Sequence, residues 1–340
     1  MTESCPEPEV AVFDVGGTWL RSGRLRWGAV VDVDRRPAPS QLHRPDAEPA
    51  ALQDELVATL AELTGDAARA AVSLGAALDS RRQVVYGSGP MWGHSRTPLD
   101  LGAQLGRARP DVEWILVNDL TAALADFAAE LPDNTRTVSG IRKICYVTVS
   151  SGVACRILDR RRQVIPVDEW GLQGEIGHLP LTTANDILDG LRRLPCDCGG
   201  SGHIASVASG PGVQRVARTF GVDLGEAQTQ RWLTDNLDGG DPVAWSVLRL
   251  AVTPIADMLR TLWCLDPEID MVGIGGGVAE GVRERYERCL VDQLSRTHSY
   301  ADRGRDTCWV RERVHVCAPG EIDGMRGAGR VASGRYMEAR

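Results

Sequence analysis

Lysine is nearly missing from this 340-residue chain: Lys143 stands alone among 38 lysines and arginines. A Walker-type phosphate loop needs a lysine after its last glycine, and a protein-kinase-type site needs one on a strand. Lys143 follows Arg142 and fits neither. Any nucleotide chemistry would therefore use backbone amides, hydroxyls and a metal ion. Basic patches are missing too. The net charge is −8, without long runs of either sign, which argues against nucleic-acid binding. No apolar run reaches the roughly 18 residues of a membrane span. The N-terminal MTESCPEPEV lacks the basic-then-apolar pattern of a secretory signal. These absences together predict a soluble cytoplasmic protein with no nucleic-acid and no membrane partner. No low-complexity tract is present.

What is there is 43% hydrophobic and long enough for two packed domains. The nine cysteines are an odd number and mostly scattered. Cys145, Cys155, Cys264 and Cys289 lie in apolar surroundings and read as small core residues in a reducing compartment. Cys196 and Cys198 alone are clustered.

Residues 10–26 read as strand, glycine turn, strand, with Val10, Val12 and Asp14 alternating against Ala11 and Phe13. A third strand follows at 27–33. Helices are expected at about 48–64, 98–107 and 119–130, and strands near 70–75, 82–87 and 112–117. The hairpin pattern then repeats: strand 143–149, turn 150–152, strand 153–158. Helices fill 211–266, with a long one at 241–264. A strand at 269–277 ends in glycines, and a last helix covers 321–336. Residues 34–47 and 299–306 read as polar, exposed loops. Two hairpin starts, each followed by mixed elements, predict two related α/β domains with a cleft between them.

Several stretches carry possible chemistry. In DVGGT (14–18), glycines let backbone approach a ligand, turn amides with the Thr18 hydroxyl can cradle phosphate, and Asp14 can orient a metal-bound water. An ordinary Gly-Gly hairpin reads equally well. SSG (150–152) sits at the matching place in the second half, although such turns are common. GIGGG (273–277) ends a buried strand and opens a helix, where open α/β sheets bind nucleotides. In VND (117–119), Asp119 is either a helix-capping residue or a carboxylate able to take a proton from a hydroxyl. Finally, GEIGH (174–178) is followed by CDCGGSGH (196–203). His178, Cys196, Cys198 and His203 form a closed Cys₂His₂ set, which suits a structural zinc. The alternative is two reduced thiols with unrelated histidines. Glu175 is not expected to ligate; it can hydrogen-bond a polyol.

In this order, DVGGT, VND-x-x-A-A, a hydroxyl-glycine turn, GEIGH, C-x-C-G-x-x-G and GIGGG resemble the ROK family of sugar kinases and sugar-responsive repressors. The likeness runs from about residue 9 to 336, including DGMRGAGRVA (323–332). It implies a two-domain actin-like ATPase (ribonuclease H-like) fold with an interdomain cleft, residues 1–119 plus 321–340 forming one α/β domain and 120–320 the other, which carries the zinc loop. It implies Asp119 as catalytic base. Asn118, Asp119, Glu175 and His178 would hold sugar hydroxyls, with His178 also on zinc. Asp14, Gly16, Gly17 and Thr18 would serve phosphates and Mg²⁺, Ser151 and Gly152 a second phosphate turn, and Gly275, Gly276 and Gly277 the adenosine. Repressor members carry an N-terminal helix-turn-helix, for which the strand beginning by Val10 leaves no room. An enzyme using ATP, Mg²⁺ and a structural Zn²⁺ is expected, as a homodimer or homotetramer.

The chain departs from the pattern in several places. His203 replaces the third zinc cysteine, and Ala205 a glutamate that contacts the anomeric end of the sugar. An asparagine usual before the GW pair is not evident in YGSGPMWGHS (86–95), where Ser88 is the nearest substitute. Ala154, Cys155 and Arg156 fill positions that usually carry glycine. Loss of anomeric-end contacts disfavours glucose. The expected activity is therefore phosphorylation of a primary hydroxyl on a hexose-like ring, preferably a cyclitol of secondary metabolism such as antibiotic biosynthesis. A plain glucokinase or hexokinase, and a non-catalytic sugar sensor, are the alternatives.

Overall fold

A computed structural model describes residues 9–93, 95, 97–131, 140–181, 190–334 and 336–339. The chain divides into two compact units: Met1–Pro132 with Arg161–Gln173 and Asp323–Arg340, and Asp133–Arg160 with Gly174–Ile322.

In the first unit a five-stranded sheet runs in the order Ala29–Pro37, Trp19–Arg26, Val10–Val15, Arg69–Leu74, Glu113–Asn118. The first three form an antiparallel meander, and the last three are parallel. Alternation along Val10–Val15 serves two cores. Ala11, Phe13 and Val15 face a cluster with Leu52, Leu56 and Leu60 from the helix Pro49–Leu63. Val10 and Val12 face Ala122, Met325 and Ala328. A strand covered on both faces must be apolar throughout, as this one is apart from Asp14. The helices Asp119–Glu130 and Gly324–Ala332 pack so closely that a Cβ on Gly327 would strike the carbonyl of Ala122.

In the second unit the strands Val314–Val316, Ile269–Gly275 and Lys143–Val149 are parallel, and Val153–Asp159 returns antiparallel to Lys143–Val149. The repeat of the hairpin start is thus real. The helix Pro242–Leu265 is long and apolar enough to cross a membrane by length and composition. Its apolar residues, among them Val247, Ala251, Ile255 and Leu259, instead join this unit's core.

Several expectations change. Residues 120–132 and 161–173 belong with the first unit, so the boundary expected at 119/120 moves. The reason is that the helix Asp119–Glu130 packs on Gly324–Ala332. The last helix stops at Ala332 and is followed by a short strand, Met337–Ala339, parallel to Val164–Pro166. Residues 34–37 extend a strand, and Ser40 is fully buried with its hydroxyl donating to the Gly17 carbonyl at 2.5 Å, so 34–47 is not simply an exposed loop. Residues 300–302 form a 3₁₀ turn, with Asp302 buried. Of the four cysteines assigned to cores, Cys145, Cys155 and Cys289 are buried, but Cys264 near the end of the long helix is exposed.

Candidate functional site

Three parallel strands of the first unit end together, which places the turns after Val15, Leu74 and Asn118 along one sheet edge. The Gly75 amide donates to the Val15 carbonyl at 2.9 Å and ties two of these turns. Asp119 stands exposed at the start of its helix. A Cβ on Gly75 would lie 3.4 Å from Asp119 Oδ2 and 3.8 Å from Gly16 Cα. Gly75 thus keeps the ground beside the carboxylate clear. Its signal in the sequence is a glycine placed directly after a buried strand.

Asn118 is the helix N-cap: its side-chain oxygen accepts from the Leu120 amide at 3.0 Å, and its NH₂ donates to the Ala76 carbonyl at 2.9 Å. Asn118 thus takes the cap position, while the neighbouring Asp119 is exposed and its Oδ1 also accepts from the Leu120 amide, at 2.9 Å. Ser88 is buried and donates to the Gly75 carbonyl at 2.7 Å. It thus sits beside Gly75, the residue that also borders Asp119, and its oxygen lone pairs can still accept.

At the hairpin turn, a Cβ on Gly17 would lie 2.6 Å from Pro90, whereas Gly16 has open space. Thr18 is exposed, and its carbonyl accepts from the Ala38 amide at 3.1 Å and faces His43 Nε2 at 2.7 Å. Asp14 is clamped: Ser73 donates to Oδ1 at 2.9 Å, and Arg21 donates to Oδ2 from Nε at 3.2 Å and Nη2 at 2.9 Å. Sequence reasoning missed Arg21, Ser73 and Gly75.

In the second unit the turns after Val149 and Gly275 also share an edge. Gly276 has φ +95°, and a Cβ there would lie 2.6 Å from the Val149 carbonyl. A Cβ on Gly275 would strike the Tyr146 hydroxyl. These two glycines let the strand ends close up, while Gly277 faces open space. The Gly276 amide is already bonded to Glu280 Oε1 at 2.7 Å. Ser151 and Gly152 are exposed. The Ser150 carbonyl accepts from the Gly210 amide at 2.7 Å, at the start of the helix Gly210–Thr219.

The GEIGH segment lies flat along the strand Val153–Asp159. The Cys155 amide donates to the Gly174 carbonyl at 2.8 Å. Gly174 has φ +80°, a side chain there would overlap the Cys155 carbonyl, and one on Gly177 would crowd Val153. Both glycines of the motif thus have a steric cause. Ala154, Cys155 and Arg156 are all buried, and Arg156 Nη1 lies 3.4 Å from where a Gly174 Cβ would be. Burial pushes the Glu175 carboxyl above its ordinary range, against the opposing pull of His178 and Arg156.

His178, Cys196, Cys198 and His203 converge, with ligand atoms all within 4.8 Å of one another. The chain brings them together by a small ladder. The Leu181 amide bonds the Gly202 carbonyl at 2.8 Å, and the Ile204 amide bonds the Leu179 carbonyl at 3.0 Å. Cys196–Gly200 closes a tight turn through the Cys196 amide and Gly200 carbonyl at 2.8 Å. Cys196 Sγ is 3.7 Å from His178 Nδ1, and Cys198 Sγ is 3.3 Å from His203 Nδ1. A tetrahedral zinc, with Zn–S ~2.3 Å and Zn–N ~2.0–2.1 Å, has ligand–ligand edges of roughly 3.3–3.8 Å. The donor set fits that ion. With Nδ1 turned to the cluster, His178 presents Nε2 to Glu175 Oε2 at 3.9 Å, so one imidazole borders both groups.

The family model for ROK matches residues 14–332. The 2-epi-5-epi-valiolone 7-kinase of an Actinoplanes species is 43% identical to this chain over 96% of it and 93% of that protein. A C(7)-cyclitol 7-kinase of Streptomyces hygroscopicus subsp. jinggangensis is 28% identical over 96% of this chain and 94% of that protein. Among solved structures, a ROK family glucokinase from Streptomyces griseus, in complex with glucose and AMPPNP, superposes with a TM-score of 0.68 at 19% identity, covering 95% of this chain and 98% of that one. A ROK hexokinase from Thermus thermophilus gives 0.66 at 21% identity, over 94% and 96%. The fold is the two-domain actin-like ATPase fold that the sequence pattern implied.

Proposed function

The chain belongs to the ROK family, and from that premise we propose that it is an ATP- and Mg²⁺-dependent kinase acting on the primary hydroxyl of a C7 cyclitol. The observation that carries the chemistry is the exposed Asp119 carboxylate at the C-terminal end of three parallel strands, with Gly75 keeping its flank open. Asp119 takes the proton of the attacking hydroxyl as the γ-phosphoryl group moves in line. Positioning and electrostatics supply most of the rate, and the general-base share is about 10²–10⁴-fold. Gly16 to Thr18 and Ser151 with Gly152 offer amides and hydroxyls to the phosphates. Gly275 to Gly277 offer a surface without side chains to the adenosine. Mg²⁺, when bound, neutralises phosphate charge. Asp14, with Oδ1 on Ser73 and Oδ2 on Arg21, suits a metal-bound water better than direct coordination.

Asn118, Ser88, Glu175 and His178 are the polyol-facing groups in this reading. Zn²⁺ held by His178, Cys196, Cys198 and His203 fixes the loop that carries Glu175 and His178. A cyclitol is favoured over glucose by the 43% identity to a valiolone kinase and by Ala205. Ala205 is a buried residue opening a short helix, and it offers no side-chain acceptor where the family has a glutamate. We further place the protein in the cytoplasm as a homodimer or homotetramer. A reducing compartment suits a chain whose described cysteines are all free thiols.

ADP release across C7 cyclitols, hexoses and N-acetylated amino sugars tests the reading. A response to cyclitols with little to glucose supports it. A response confined to glucose or to N-acetylated sugars overturns the substrate, and no ATP binding at millimolar concentration by calorimetry overturns the kinase.

A further inference from the structure

We propose that the second unit holds a further transition-metal site, made by His315, Cys317 and Glu321 and separate from the Cys₂His₂ loop. The three residues form a local H-x-C-x-x-x-E pattern at the end of the strand Val314–Val316. Successive side chains of a strand point to opposite faces. Val314 and Val316 enter the apolar core, so His315 and Cys317 leave from the other face together. The turn after the strand then brings Glu321 back to them. One imidazole nitrogen, the Cys317 sulfur and one Glu321 oxygen all lie within 4.8 Å of one another.

The cluster is held from several sides. The Cys317 amide donates to the Ile274 carbonyl at 2.8 Å. Glu321 Oε2 accepts from the Ala318 amide at 2.7 Å, and Oε1 meets His315 Nε2 at 2.6 Å. Cys317 is fully buried, while His315 and Glu321 keep about a third of their side chains open, 38% and 30%. The thiol is thus enclosed, and the other two ligands form an entry. Two charged groups border the cluster: Glu280, whose Oε1 is bonded to the Gly276 amide at 2.7 Å, and Arg283, whose Nε donates to the Val316 carbonyl at 2.9 Å. Glu280 adds negative charge and Arg283 opposes a cation.

A thiolate, an imidazole and a carboxylate select a borderline divalent ion such as Zn²⁺ or Co²⁺; Mg²⁺ prefers oxygen donors. Three protein ligands leave a fourth position open to water, unlike the closed loop set. On binding, Cys317 gives its S–H proton to water, Glu321 binds as carboxylate, and His315 binds as neutral imidazole. Because Cys317 is bonded to Ile274 on the neighbouring strand, the ion would brace the strand end that leads into Gly275–Gly277.

The test is Co²⁺ added anaerobically to the full chain prepared with a single equivalent of Zn²⁺, which the closed four-ligand loop takes first, with metal content measured after free ions are removed. One further equivalent per chain is expected, with a thiolate-to-cobalt charge-transfer band and no release of zinc. Both the equivalent and the band should vanish in Cys317→Ser and in His315→Ala while zinc content holds. His315→Ala changes a partly exposed ring and decides the matter if Cys317→Ser fails to fold. No further equivalent overturns the proposal. So does a band accompanied by stoichiometric zinc release, which reports exchange in the loop. An equivalent retained in both variants also overturns it.

Discussion

Arg21 and Asp14 face each other directly across the first hairpin, and the guanidinium grips one carboxylate oxygen with two nitrogens, the nearer at 2.9 Å. The same guanidinium reaches Asp323 Oδ1 at 3.3 Å, so a single cation joins the hairpin to the N-cap of the last helix. Gly324 makes this possible, since a Cβ there would lie 2.7 Å from Asp14 Oδ1.

Replacing Arg21 by Ala leaves two carboxylates without their shared cation. A charged hydrogen-bonded pair is worth about 1.5–3 kcal/mol. The lower end applies, because both side chains are about a third exposed (31% and 30%). We expect a modest fall in Tm and a several-fold rise in KM for ATP. An unchanged KM for ATP in a folded variant would take Asp14 out of the phosphate site.

Asp119→Asn keeps a helix-starting residue of the same size and removes the base. The expected result is a fall in kcat of about 10²–10⁴-fold with ATP affinity retained. Turnover within tenfold of the parent, measured as ADP release, would remove Asp119 from proton transfer.

Asp126 is a structural counterpart that no motif announced. Its carboxylate is fully buried, accepts from Arg326 at 2.6 and 2.7 Å, and takes the Asp323 amide at 2.8 Å. Asp126→Ala should destabilise the chain by about 3 kcal/mol, since breaking one side of a buried pair strands its partner. Urea denaturation reads this directly, and a loss below about 1 kcal/mol would show that the pair does not hold the two helices together.

The sequence made local features legible and left long-range ones hidden. Both hairpins could be read because alternation and a glycine turn lie within a few residues. The convergence of His178 with Cys196, Cys198 and His203 could be read because three of the four sit within Cys196–His203. Arg21 to Asp323 and Arg326 to Asp126 join residues some 302 and 200 positions apart, and a one-dimensional pattern carries no trace of such contacts. The strand Met337–Ala339 is three residues long, too short for alternation to show. The helix at 119–130 is legible from its pattern, but the unit it joins is not, because membership depends on what it packs against. Gly75 did carry a signal, a glycine closing a buried strand, but nothing local says that it clears space for Asp119.

The loop Cys196–His203, with its proposed zinc, gives the most discriminating stability test. Among its glycines, Gly200 is the one that a ligand depends on: a Cβ there would lie 2.6 Å from His203 Cε1 and 3.5 Å from Nδ1. Gly200→Ala should therefore push the imidazole off the cluster without touching a ligand atom. Cys198→Ser removes a ligand outright. Both variants should lose bound zinc by metal analysis and show lower Tm, and a strong chelator should do the same to the parent. Activity should fall with zinc, because His178 belongs to the cluster and turns Nε2 toward Glu175 at 3.9 Å. His203→Cys should keep the metal, since a thiolate fits the same tetrahedral vertex. A parent chain purified without metal, stable and active in chelator, would reduce the cluster to two thiols and two unrelated imidazoles.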